Sequence, residues 1–130
     1  MADTRLPGIR RRIALVEDEA TVRRALARVL GAAHFAVESF SSGEEFLQSV
    51  DAKLPDCIVL DMQMTGLTGR DVQRHLAARR IHTPVIIITA HDEPASRSQF
   101  LAEGAAAYLC KPLASASLVA AIEAAISAAG

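Results

Sequence analysis

Read for polarity alone, the chain alternates short apolar runs with longer amphipathic stretches. The runs are Ile13-Ala14-Leu15-Val16, Val37-Glu38-Ser39-Phe40, Ile58-Val59-Leu60, Val85-Ile86-Ile87-Ile88 and Ala106-Ala107-Tyr108-Leu109-Cys110. Four of them lack polar alternation, as strands do when both faces of a parallel sheet are covered. The run at Val37 alternates and is expected nearer a sheet edge. Helical periodicity fills the intervals. Val22, Leu26, Val29 and Leu30 form one stripe, Phe46, Leu47 and Val50 a second, Val72 and Leu76 a third, and Leu118, Ile122 and Ile126 the last. The third helix is expected over about residues 69–78 and the last near residues 115–128.

Punctuation agrees with this reading. Gly31 is expected to mark the end of the first helix. Ser42-Gly43-Glu44-Glu45 fits a capping box, with Ser42 as N-cap and Glu45 reaching back. Asp92 and Pro94 resemble the cap and first turn of a fourth helix. Strand and helix thus alternate five times with short connections, which is the logic of βαβ units and of a parallel sheet with helices on both faces.

Composition narrows the class. The 130 residues suit one domain with one core, and 51% apolar against 22% charged residues describes a globular chain. Fourteen basic and fifteen acidic side chains leave a formal charge of −1, so bulk attraction to nucleic acid or to an anionic membrane is not expected of this domain. No apolar run is long enough to span a bilayer, and the basic start lacks the apolar segment of a secretory signal. Residues 1–12, with Pro7, Gly8 and Arg10-Arg11-Arg12, read as a flexible lead-in to a domain over residues 13–128. Cys57 and Cys110 have neither metal spacing nor disulfide density and read as core thiols of a reducing cytoplasm.

The candidate chemistry stands at the strand ends. The first run ends at Glu17-Asp18-Glu19, the third at Asp61, the fourth at Thr89 and the fifth at Lys111. In open α/β sheets ligands bind beyond the carboxyl ends of the strands. Carboxylates gathered there repel unless a cation joins them, and Mg²⁺ accepts one or two carboxylates together with waters and phosphate oxygens. Lys111 and Thr89 are suited to hold phosphoryl oxygens, and Asp61 to accept the group as an aspartyl phosphate. Taken singly, each residue has an ordinary reading: helix-start acids, a strand-end threonine, a solvated lysine.

As a set, these residues resemble a receiver domain of a two-component response regulator over about residues 12–128. The resemblance implies a flavodoxin-like, doubly wound five-stranded parallel sheet of order 2-1-3-4-5 with five helices. It implies that Glu17 and Asp18 hold Mg²⁺, with Asp61 and the main-chain carbonyl of Gln63 as further ligands. It makes Asp61 the phosphoacceptor, Lys111 before Pro112 its cationic partner, and Thr89 and Tyr108 a switch pair. Gln63 and His91 flank the path of a hydrolysing water and are expected to tune phosphoryl lifetime. The partner implied is a sensor histidine kinase. The loop from Met64 to Gly69 and the stretch from Ile88 to Asp92 are similar to receivers of FixJ/LuxR-type transcription regulators. Departures are Thr65 where the family usually has Pro, Leu113 where it usually has Phe, and Glu17 where Asp is commoner.

Competing readings fare worse. A phosphatase of the haloacid dehalogenase type needs a general acid where Gln63 stands. A flavin carrier on the same topology needs a phosphate loop where Glu17-Asp18-Glu19 would repel phosphate. A receiver-like interaction module that is never phosphorylated remains the alternative. Arg23, Arg24 and Arg28 read as a solvated face or part of a kinase-docking surface. The last helix carries one charge, Glu123, and its Ala116, Ala120, Ala124 and Ala128, with Ser117 and Ala121, are expected on the surface. The fourth-helix, fifth-strand and fifth-helix face is therefore expected to form a phospho-dependent homodimer, with Tyr108 moving inward. The chain stops just after the last helix, so it is expected to be either a single-domain regulator or the receiver part of a longer protein.

Overall fold

The computed structural model describes residues 10–129. Most of the expected lead-in, residues 1–9, lies outside them. The elements run β1 (Arg12–Val16), α1 (Ala20–Ala32), β2 (Ala36–Phe40), α2 (Gly43–Ser49), β3 (Cys57–Asp61), α3 (Gly69–Ala78), β4 (Val85–Thr89), α4 (Pro94–Ala102), β5 (Ala107–Cys110) and α5 (Ser115–Ala129). β1 begins at Arg12, one residue before the expected strand start. The strands form one parallel sheet in the order β2-β1-β3-β4-β5, the doubly wound topology expected.

Alternation along each strand sorts side chains onto two cores. Ala14, Val16, Ile58, Leu60 and Ile87 meet Phe46 and Leu47 of α2, Val72 and Leu76 of α3 and Phe100 of α4 on one face. Ile13, Leu15, Val59, Ile86 and Ile88 meet Leu26 and Leu30 of α1 and Leu118 and Ile122 of α5 on the other. β3 and β4 are buried along their whole length. The consequence for function is positional. From β1 the chain winds to β2 on one side and, through α2, to β3 on the other. The carboxyl ends of β1 and β3 therefore flank the switch point of the sheet, where such folds bind ligands.

Several helix ends differ from the expectation. Gly31 lies inside α1, and the left-handed residue that closes the helix is His34 at φ 70°. Phe35 N–H bonds to Leu30 O and His34 N–H to Gly31 O, a Schellman closure sealed by two core side chains. Arg80 does the same for α3 at φ 57°, and Gly104 for α4. Ser42 caps α2 by accepting from Glu45 N–H at 3.1 Å, as expected, but the Glu45 carboxylate reaches back to Ser41 N–H. Glu93, not Asp92, is the N-cap of α4, with Pro94 following it. In α5 the buried stripe is Leu118, Ile122 and Ala125, with Ile126 half-buried beside it. Among the described residues no helix is long and apolar enough to cross a membrane.

Candidate functional site

Glu17 follows β1 directly and is 1% exposed, although it is a carboxylate. Two contacts to the carboxylate make that burial tolerable, and a third bond fixes the backbone. Lys111 Nζ stands 2.6 Å from its Oε1, Glu19 N–H donates to its Oε2 at 3.1 Å, and its own N–H bonds to Phe40 O. A buried charge persists only when paired and hydrogen-bonded in this way. Asp61, the last residue of β3, is 4% exposed; its Oδ2 lies 3.6 Å from Lys111 Nζ and its Oδ1 accepts from Gln63 N–H at 3.3 Å. Asp18 faces the opening, where its Oδ2 accepts from Thr65 N–H at 3.1 Å. Proline, usual in the family at position 65, has no N–H with which to make that bond.

One ligand atom each from Glu17, Asp18 and Asp61 lies within 4.8 Å of the others. The electrostatic consequence appears at Asp61. Burial and the neighbouring Glu17 carboxylate push its carboxyl up to about 7, against the pull of Lys111 and the Gln63 N–H. For Lys111, burial lowers the pKa, but the two carboxylates outweigh it and hold the ammonium above its ordinary value. Three oxygen donors around one cation fit a hard divalent ion, and their mutual repulsion is what such an ion would relieve. A shallow opening lined by Asp18, Met62, Gln63, Met64, Thr65 and Thr68 leads to this cluster.

Thr89 ends β4 on the same edge and is fully buried. Its hydroxyl donates to His91 O at 3.1 Å, and His91 N–H donates back to it. The His91 carbonyl also takes a long bond from the Tyr108 hydroxyl at 3.5 Å, so one turn joins the two expected switch residues. Tyr108 is 3% exposed, packed by Phe100 and covered by the Arg97 guanidinium 4.9 Å above its ring. It is thus already inside, and the expected inward movement has no outward starting point here. Lys111 precedes Pro112 through a cis peptide, and Lys111 N–H bonds to Thr89 O at 2.7 Å, which registers the lysine beside the threonine.

Gln63 and His91 are both exposed, at the rim. Four further residues shape the site: Arg23, read from the chain only as a surface or docking charge, and Thr68, Gly69 and Asp71, which carried no site reading. Arg23 turns back from α1 onto the carbonyls of Glu17 and Asp18, at 2.8 and 3.3 Å, while Arg24 and Arg28 remain exposed. Thr68 and Asp71 form a full capping box at the start of α3, a pattern readable in the chain. Gly69 packs so closely that a Cβ there would sit 2.5 Å from Asp61 O.

Comparison with known proteins bears on this arrangement. A family model described as response regulator receiver domain matches residues 13–123. Nodulation protein W of Bradyrhizobium diazoefficiens is 36% identical over 111 residues, which are 85% of this chain and 49% of that protein. The DNA-binding transcriptional regulator NtrC of Escherichia coli is 34% identical over 113 residues, 87% of this chain and 24% of NtrC. The chain therefore spans about half or less of the length of these relatives. The crystal structure of FixJ-N superposes with a TM-score of 0.84 at 30% identity, over 90% of this chain and 94% of that one. The family match runs from β1 into α5 and so takes in every strand that carries the clustered side chains: the chain belongs to the response regulator receiver domain family of two-component systems.

Proposed function

We propose that residues 13–128 form a cytoplasmic phosphoacceptor switch in which Asp61 takes a phosphoryl group from a histidine of a partner sensor kinase. The observation that carries this is the convergence of Glu17, Asp18 and Asp61 at the switch point, with Lys111 between two of them. Mg²⁺ would be held by Glu17, Asp18, Asp61 and the main-chain carbonyl of Gln63, and when bound it supplies charge that neutralises the incoming phosphoryl oxygens. An ionised Asp61 oxygen attacks phosphorus, the P–N bond to the kinase histidine breaks, and the leaving imidazole nitrogen takes up a proton. Lys111 then keeps Glu17 and pairs with a phosphoryl oxygen, which replaces the carboxylate charge that Asp61 gives up on becoming the acyl phosphate. Thr89 has a hydroxyl that can turn from His91 O to the phosphoryl group. That turn would free the carbonyl shared with Tyr108, so the signal passes through the Thr89–His91–Tyr108 turn to α4 and β5 rather than through burial of the ring.

The domain acts as a self-phosphorylating acceptor with slow autodephosphorylation rather than as a turnover enzyme. Gln63 and His91, at the rim, set the lifetime; exchanging either should change the autodephosphorylation rate while phosphorylation persists. The output we favour is control of transcription through a domain outside this chain, of the FixJ/LuxR type. The likeness to NtrC, a DNA-binding transcriptional regulator, supports a regulatory output. Activation is read out by a homodimer through α4, β5 and α5, where Ala116, Ala120, Ala124 and Ala128 are exposed. The direct test is incubation with acetyl phosphate and Mg²⁺ followed by intact mass. The parent should gain one phosphoryl group, and chelation of Mg²⁺ should abolish the gain. Labelling that is indifferent to chelation would contradict the reading.

A further inference from the structure

We infer that Arg23 is a positioning residue for the metal-binding carboxylates, not part of a solvated basic face. The turn between β1 and α1 carries three consecutive acids, Glu17, Asp18 and Glu19. Beyond the Glu19 N–H bond to Glu17 Oε2 inside the turn, nothing in the usual helix-start repertoire holds it. Glu19 occupies the N-cap without a side-chain cap bond, and the first turn of α1 has no acidic residue. Arg23 supplies the missing restraint from inside the helix. Its Nη1 bridges the carbonyls of Glu17 at 2.8 Å and Asp18 at 3.3 Å, across both residues whose carboxylates converge with Asp61. Fixing two successive carbonyls on one cation fixes the peptide between them. That sets the direction in which the Asp18 side chain leaves the backbone. Thr65 N–H anchors the far end of the same side chain at Oδ2.

Arg23 is half-buried, whereas Arg24, next to it on the same helix turn, is exposed. The pair therefore separates positioning from charge. Removal of either cation makes the acidic cluster more negative and, by charge alone, would tighten Mg²⁺ binding. Only loss of the carbonyl bridge loosens it. Groups that orient metal ligands typically contribute about tenfold or more to affinity.

The inference rests on the reading of Glu17, Asp18 and Asp61 as a Mg²⁺ site. Mg²⁺ affinity is measured from the amide NMR shifts of Gln63 and Thr65 during titration with MgCl₂, without any phosphodonor. Arg23→Met, which keeps the aliphatic stem, should weaken binding about tenfold. Arg24→Met should leave it unchanged or slightly tighter, and Arg23→Lys should fall between Arg23→Met and the parent. If Arg23→Met does not fold, Arg23→Lys against Arg24→Lys decides: only the first should weaken binding. Equal or tighter binding by the Arg23 variant, or an equal loss from the Arg24 variant, overturns the inference. A parent with no Mg²⁺-dependent shifts overturns the metal-site reading itself and the role of Arg23 with it, an outcome distinct from a parent that binds and an Arg23 variant that binds equally.

Discussion

Asp61 should cost the metal-free protein stability, and Asp61→Asn should recover it. The carboxyl rises from 3.8 in an ordinary setting to about 7 in the fold, because it is buried beside Glu17. A raised folded pKa on an acid means that the folded state holds the proton more tightly than the unfolded chain. Stability is therefore greatest below the unfolded value and is lost as pH rises from about 3.8 to about 7, after which the loss is constant. Three units at about 1.4 kcal/mol each set a ceiling of roughly 4 kcal/mol at alkaline pH. At about pH 5 the loss is only about 1.7 kcal/mol, so the two conditions should differ by about 2.5 kcal/mol. Asn keeps the shape and carries no charge. Other carboxylates act in the opposite sense; Asp71, held low by the Thr68 backbone and hydroxyl, adds stability that disappears as pH falls through its folded pKa. That contribution is common to both proteins and cancels in their difference. The assay is urea unfolding in the presence of a chelator at about pH 5 and about pH 8.5, where a change of about 2.5 kcal/mol moves the midpoint by roughly 1 M. Asp61→Asn should be the more stable protein, by a margin that widens at the higher pH. Mg²⁺ should then stabilise the parent and not the variant, since only a site present in the folded state gains from ligand. A margin equal at both pH values, or a parent more stable than Asp61→Asn at alkaline pH, refutes the reasoning.

Gly69→Ala should destabilise the fold by about 1–3 kcal/mol and slow labelling of Asp61, because the added methyl collides with the Asp61 carbonyl and the Met62 Cα; urea unfolding and intact mass check the two effects. Beryllofluoride should convert the protein to a dimer by light scattering, and Ala120→Glu, at an exposed position of α5, should keep it monomeric. A monomer on activation, or an unimpaired variant, removes the proposed output face.

What the chain reveals before folding depends on whether the information is local. The apolar run that stops at Asp61 was legible because a buried strand has a hydrophobic signature and its end is abrupt. The parallel sheet followed from the alternation of such runs with helices. Glu17, Asp18 and Lys111 were legible as strand-end residues, but their mutual distances depend on β1, β3 and β5 lying in one sheet, 94 residues apart in the case of Lys111 and Glu17. Helix ends were less legible. A left-handed C-terminal residue is usually glycine, yet α1 and α3 use His34 and Arg80, held there by the core side chains that follow them. The Tyr108 position was not legible either, since its burial is made by Phe100 and Arg97 from a helix with little amphipathic signal of its own. Arg23 carried no local sign, because its partners are backbone carbonyls that any sequence would offer.

The most direct test of the central claim is to locate the phosphoryl group on the chain. The protein is labelled with acetyl phosphate and Mg²⁺, trapped with borohydride, which reduces an aspartyl phosphate to homoserine, and digested for peptide mass analysis. The account predicts homoserine at position 61 and an Asp61→Asn protein that yields none. Homoserine at another aspartate in the parent, or labelling of the variant at the parent's rate, would contradict it.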